Sequence, residues 1–133
     1  MKVKSIKNLK KEADRVFSIF IRLRDRDTLG ETVCYTCGHK GDMKKMQNGH
    51  FVPRQYLPTR YNEINCHAQC YACNMLYNGQ PSAYAERLRK EFGDWVVSYL
   101  EKLRRQVVVN FPYQLVIDYY KQKLTSLGYG YLI

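Results

Sequence analysis

"CYTCGHKGDMKKMQNGHFVPRQYLPTRYNEINCHAQCYACN", residues 34–74, decides how the rest of the chain is read. It opens and closes on Cys-x-x-Cys pairs, Cys34 with Cys37 and Cys70 with Cys73. Each pair can occupy two corners of a tetrahedron, and a chain that folds back between them brings the pairs together, so this spacing suits a structural zinc ion. A site closed by four thiolates has no open position, so its metal holds the fold and does not activate water. Binding of that kind contributes on the order of 10 kcal/mol to folding. Cys66 is the odd thiol; it reads as a small buried hydrophobe, although its spacing to Cys70 would also suit a ligand. His39 reads as a surface residue near the metal.

Between the knuckles, "MQNGHFV" (46–52) and "NEINCHAQ" (62–69) each read as a short strand, joined by the basic, proline-bearing loop "PRQYLPTRY" (53–61). A helix beginning around Cys70, behind that hairpin, completes a compact ββα unit. Taken singly, its polar residues have ordinary explanations. His50 beside Phe51 is a packed histidine, Asn65 a strand-end turn residue and Asn74 a helix cap. Arg54 and Arg60 are loop charges or, given the planar guanidinium fork, phosphate contacts. Tyr56 and Tyr61, interleaved with them, could stack on an exposed base or simply cover the hairpin.

Outward from this region the pattern turns helical. From about Ser5 to Asp27, Ile6, Leu9, Ala13, Val16, Phe20 and Leu23 recur at alternating spacings of three and four, with Lys7, Lys10, Lys11, Arg15, Arg22 and Arg26 on the other face. Pro81 and Ser82 open a helix carrying Tyr84, Leu88 and Phe92. Gly93-Asp94 stops it and starts another, with Trp95, Val96, Tyr99, Leu100 and Leu103. A last helix begins near Asn110 and Pro112, presents Leu115, Val116, Tyr119, Tyr120 and Leu124, and ends near Gly128. The expectation is one α+β domain over 1–133: an N-terminal helical part (1–30), the zinc-stapled ββα core (31–92) and C-terminal helices (93–133).

The totals point to a partner. A formal charge of +10, from 22 Lys and Arg against 12 Asp and Glu, suggests a polyanion, with nucleic acid first. An anionic membrane surface fits less well, because the basic residues are spread along the whole length. No apolar run reaches the ~20 residues of a membrane span, and the start lacks a signal-peptide core. The expected compartment is therefore intracellular, where paired thiols favour metal over disulfides.

The combination "C-x-x-C-G", "G-H-F-x-x-R" and "N-x-x-x-Q-C-x-x-C-N" resembles the zinc-bearing HNH, or ββα-metal, nucleases. With "FSIFIRLRD" upstream and "NGQPSAYAERL" downstream, it resembles more closely the lambdoid-phage NinG, or Rap, recombination-endonuclease family, over roughly Ala13 to Gly93. That resemblance implies His50 as the general base that deprotonates water, Asn74 as an oxygen ligand of a catalytic Mg²⁺ or Mn²⁺, and Asn65 as the residue that ties the hairpin loop and orients the base. The position before the histidine commonly carries a metal-binding side chain, but here it is Gly49. The second ligand must come from elsewhere: His67 ranks first, ahead of Glu63, Asn48 or a backbone carbonyl. The resemblance further implies branched DNA such as Holliday junctions or D-loops as substrate, a homodimer, and action in the bacterial host cytoplasm. Two alternatives stay open: a non-catalytic zinc module that binds DNA, and a less selective HNH nuclease acting on ordinary duplex.

Overall fold

The first helix, α1 (Ile6–Arg24), begins where Ser5 offers its hydroxyl to the amide of Asn8 at 3.2 Å, an N-cap bond that satisfies one of the orphan donors of the first turn. The computed structural model describes residues 3–133 and resolves them into two compact units, residues up to 20 with those from 109 on, and residues 21–108. Among the described residues no helix is long and apolar enough to cross a membrane.

The larger unit is a mixed α+β arrangement of two small antiparallel sheets and short helices. Strands β1 (Thr32–Val33) and β2 (Lys40–Gly41) pair around the first knuckle. Strands β3 (Met46–His50) and β4 (Cys66–Cys70) pair over their full length, from Met46 opposite Cys70 to His50 opposite Cys66. The second strand starts later than the sequence suggests. Asn62 turns the chain by accepting the amides of Ile64 and Asn65 on its side-chain oxygen, so "NEIN" is a turn and the strand is only "CHAQC". The connecting loop also holds a helical turn that its two prolines concealed, α2 (Leu57–Arg60).

Among the described residues the outer edge of β4 meets no third strand. The amide of Ala68 donates to the Asp25 carboxylate at 2.7 Å, and its carbonyl accepts from the amide of Tyr35 at 2.8 Å. The guanidinium of Arg24 donates to the carbonyls of Glu63 and Cys66 at 2.8 and 2.7 Å. Arg22, read from the sequence as part of a solvated face, instead donates to the carbonyl of Met43 at 3.0 Å. The end of α1 thus works as a polar clamp on the hairpin.

After β4 the chain makes one wide helical turn (Ala72–Leu76) and then two helices, α3 (Pro81–Phe92) and α4 (Trp95–Arg104), separated by Gly93 at φ 116°, a backbone state that favours glycine. Tyr35, Val52, Tyr84, Leu88, Val96 and Leu100 form this unit's buried core, with Phe51, Tyr56, Ile64 and Phe92 packed around it.

In the smaller unit, α5 (Tyr113–Ser126) buries Tyr113, Ile117, Tyr120 and Leu124. The rings of Phe17 and Phe20 meet Tyr120 at centroid distances of 4.9 and 5.1 Å, and Glu12 pairs with Lys121 at 2.6 Å. Leu115 and Tyr119, expected on the buried stripe, are 68% and 53% exposed. The buried set repeats at four, three and four residues from Tyr113, so the apolar face starts one turn earlier than the sequence pattern put it.

Candidate functional site

Antiparallel pairing brings the knuckles together. Because Met46 lies opposite Cys70, β3 and β4 carry the second knuckle back to the first, and the four sulfurs of Cys34, Cys37, Cys70 and Cys73 lie within 4.8 Å of one another. The sulfurs of Cys37 and Cys70 are 3.7 Å apart. The edge of a tetrahedron with Zn–S bonds of about 2.3 Å is about 3.8 Å, so the cluster has the size for a metal such as zinc. Cys66 stays out of it. Its thiol is fully buried and donates to the carbonyl of Arg60 at 3.5 Å, and burial pushes its pKa up.

The same pairing sorts the polar residues of the hairpin onto two faces, since cross-strand partners share a side and neighbours along a strand alternate. His50 and Cys66 form one such pair, and both side chains reach the carbonyl of Arg60, the histidine through Nε2 at 2.9 Å. A carbonyl can only accept, so Nε2 carries the ring hydrogen and Nδ1 holds the basic lone pair. Gly49 and His67 form the next pair on the opposite face.

His67 is therefore not brought to His50. It is buried, stacked on Tyr35 at a centroid distance of 3.7 Å, with Nδ1 3.3 Å from the Tyr84 hydroxyl. That hydroxyl has one hydrogen and two carbonyl acceptors, Gly49 at 2.8 Å and Asn65 at 3.2 Å, so His67 Nδ1 is the donor to it. Burial first, then the charges of Arg24 and Arg87, pushes the His67 pKa down to about 2. The residue expected as second metal ligand is a neutral, packed core histidine; the physical reason is the strand alternation that puts it beside Tyr84. Glu63, another candidate from the sequence, sits in the turn before β4.

Asn65 is fully buried and ties the loop. Its side-chain oxygen accepts the amide of Val52 at 2.8 Å, and its amide donates to the carbonyls of Val52 and Thr59, each at 3.1 Å. The loop so held ends at Arg60, whose carbonyl orients His50. The Arg60 side chain turns inward, with 7% of the residue exposed, and donates to the carbonyl of Arg54 at 2.8 Å. It shapes the loop from within, whereas Arg54 is exposed.

Asn74, directly after the last knuckle cysteine, donates through Nδ2 to Gln47 Oε1 at 2.6 Å. Gln47 lies opposite Gln69 on the face of Gly49. Sequence reasoning gave neither glutamine a role: Gln69 entered only as a letter of the "N-x-x-x-Q-C-x-x-C-N" pattern, and Gln47, a single polar residue in a short strand, carries no chemical signature. Gly49, in contrast, has a steric requirement. A Cβ there would stand 1.9 Å from Oε1 of Gln69 and 2.6 Å from its Cδ, so that space is already filled.

Comparison with known proteins gives a consistent relationship. The family described as Bacteriophage Lambda NinG protein matches residues 1–128. The protein ninG of Escherichia phage lambda is 33% identical over 92 residues, covering 68% of this chain and 43% of that protein. Protein ninG of Escherichia phage 933W is 32% identical over the same shares, and that of Salmonella phage P22 is 29% identical over 119 residues, 88% of this chain and 56% of the relative. The chain thus spans about half the length of the curated relatives it matches. No solved structure matches.

Proposed function

The chain belongs to the bacteriophage lambda NinG family, and from that premise we propose that it is a metal-dependent endonuclease with an HNH-type ββα core. The observation that carries this reading is the orientation of His50. A ring whose Nε2 hydrogen is committed to the Arg60 carbonyl at 2.9 Å has its basic nitrogen defined as Nδ1, and Asn65 braces the loop that supplies the carbonyl. A packed histidine also bonds its ring N–H, as His67 does, but for a general base the fixed tautomer is a working requirement, because proton transfer needs the basic nitrogen held toward the water.

In this reading, Nδ1 of His50 takes a proton from the water that attacks phosphorus. The neutral ring, its hydrogen on Nε2, presents Nδ1 as the base. A divalent ion, Mg²⁺ or Mn²⁺, bound at Asn74 supplies positive charge against the leaving oxygen. Asn74 is held beside the hairpin by its bond to Gln47, and its own side-chain oxygen is the kind of ligand a hard cation prefers. Arg54 holds a neighbouring phosphate, and zinc at the four cysteines keeps the hairpin and the following turn in register. The excess of cationic residues favours DNA as the polyanion. The substrate is branched DNA, and the two-fold symmetry of a junction makes a homodimer the natural acting form.

The test is cleavage of a labelled four-way junction and a matched linear duplex by zinc-loaded wild type and His50→Ala, with and without added Mg²⁺. Junction-selective, Mg²⁺-dependent cutting that falls about a hundredfold or more in the variant, with binding retained, is the expected result. Binding without cutting by either protein would make the chain a DNA-binding zinc module. Equal cutting of junction and duplex would make it a general HNH nuclease.

A further inference from the structure

Val96 and Leu100 of α4 are fully buried, but Trp95 and Tyr99, read from the sequence together with them, are 52% and 39% exposed. The two exposed rings stand one turn apart and meet edge to face, with centroids 5.5 Å apart. Both are held from the protein side. Trp95 Nε1 donates to the carbonyl of Phe92 at 2.8 Å, and the ring lies against Gly93, where an added Cβ would stand 3.0 Å from Trp95 Cδ1. The Tyr99 hydroxyl lies 3.5 Å from Asn62 Nδ2. The Asn62 side-chain oxygen takes the amides of Ile64 and Asn65, so its nitrogen end is the one turned to Tyr99. The tyrosine thus accepts, and its own hydrogen is directed to a further acceptor.

Charge and place say what this surface meets. Lys102 follows Tyr99 by three residues on the same face and Arg105 ends the helix, both exposed, whereas Glu101 is paired with Arg104 at 3.4 Å. Aromatic rings followed by cations suit a nucleic-acid strand, bases on the rings and phosphates on the charges. A second copy of the chain fits less well, because a two-fold interface would bring two such cationic helix ends into one contact. Asn62, which meets Tyr99, closes the loop whose Arg60 carbonyl orients His50. In that loop Tyr56, a ring the sequence offered for base stacking, is covered by the Arg104 guanidinium at 4.1 Å, so Trp95 and Tyr99 are the open rings beside it.

We propose that Trp95 and Tyr99 form a stacking platform for DNA bases left unstacked at a branch, with Lys102 and Arg105 on the adjoining phosphates, and that this platform supplies the preference for branched over linear DNA. It rests on the endonuclease reading above and adds a surface which that reading does not name. Bases within a linear duplex are stacked on one another and offer no face to the rings. Every base has such a face once unstacked, so the platform reads DNA structure and not sequence.

Trp95 is the only tryptophan of the chain, so its fluorescence reports the platform directly. Zinc-loaded protein is titrated at low salt, without Mg²⁺, with oligothymidylate, with a forked DNA and with a linear duplex. The first two should quench the fluorescence saturably, and the duplex should bind without comparable quenching. Tyr99→Ala, which keeps the probe, should weaken oligothymidylate and fork binding about tenfold or more. Duplex binding, followed by anisotropy of labelled DNA, should stay within about twofold because it rests on phosphates. Trp95→Ala should act alike by anisotropy, and Trp95→Phe, which keeps a ring, should restore most of the affinity. Saturation of fork binding without quenching, or fork and duplex affinities that fall equally in Tyr99→Ala, overturns the platform; Mg²⁺-dependent cutting by wild type would then leave the endonuclease reading intact. A wild-type dimer that Trp95→Ala turns into a monomer, with no quenching by any DNA, assigns the face to a second copy and overturns it as well. If no DNA binds and none is cut with Mg²⁺, both readings are wrong.

Discussion

Asn65→Ala tests whether the loop is a positioning device or a passive connection. The side chain makes three bonds in a fully buried setting, to the amide of Val52 and the carbonyls of Val52 and Thr59. Truncation leaves one donor and two acceptors where water does not reach. Three bonds at a net worth of about 0.5–1.5 kcal/mol each, with an orphaned Val52 amide at the costly end, give a loss of about 3 kcal/mol. Urea unfolding of zinc-loaded protein measures it. The effect should also reach His50, because Thr59 precedes the residue whose carbonyl fixes the ring hydrogen at Nε2. Long-range ¹H–¹⁵N spectra of the imidazole should report one Nε2–H tautomer in wild type and a mixture in the variant. A loss below 1 kcal/mol, or an unchanged tautomer despite a full loss of stability, would refute the coupling from Asn65 through the loop to the His50 ring.

Three other perturbations bear on separate parts of the molecule. The His67 pKa is pushed down to about 2, below the unfolded value of about 6.5, so the folded form binds no proton there where the unfolded form does. The associated stability is present above about pH 6.5 and lost as pH falls toward 2, and wild type should lose about 1.4 kcal/mol per pH unit more than His67→Gln between pH 6 and 4; parallel profiles in urea unfolding would remove His67 as the cause. Chelation of the metal should collapse the methyl dispersion of Val52 and Leu88 in NMR spectra, and Cys73→Ser should lower zinc content below one per chain; a chelated protein with native spectra would make the cluster dispensable. Tyr120→Ala should cost about 3–5 kcal/mol in thermal or urea unfolding, whereas Tyr119→Ala, one position along α5 and 53% exposed, should stay within about 0.5 kcal/mol; equal losses would show that the helix phase is wrong.

What the sequence made legible follows the range of the interactions concerned. The cysteine pairs announced their cluster because a Cys-x-x-Cys turn is a local unit and four such thiols have few other uses. The helices were legible where the apolar period was long, as in α1 and α3, and out of phase in α5, where apolar residues occupy more than one stripe and only packing selects among them. The α2 turn was missed because prolines punctuate it, although Pro58 lies in the first turn, where its missing N–H costs nothing. Asn65 could be given a loop-tying place by analogy, but its three partners are set by the tertiary course of the chain.

The two faces of the hairpin were the hardest feature to read, and the functional assignments depend on them. His67 ranked first as a ligand because it lies two residues from Asn65, on the same side of the expected strand; the register places it opposite Gly49 and beside Tyr84, away from His50. Had β4 begun at Asn62, as the sequence suggested, the pairing partners of His50 and Gly49 would have been open to a different assignment. The turn made by Asn62 settles the start of the strand at Cys66, and with it which side chains His50 can meet. A one-residue slip would exchange the faces and bring His67 to His50 while burying Cys66 beside Tyr84. The register is held at one end by Met46 opposite Cys70, a knuckle residue, and at the other by the Asn65 carbonyl accepting the amide of Phe51 at 2.9 Å. The four-cysteine cluster, which takes in Cys70 at the end of β4, therefore bears on which hairpin side chains share a face with His50.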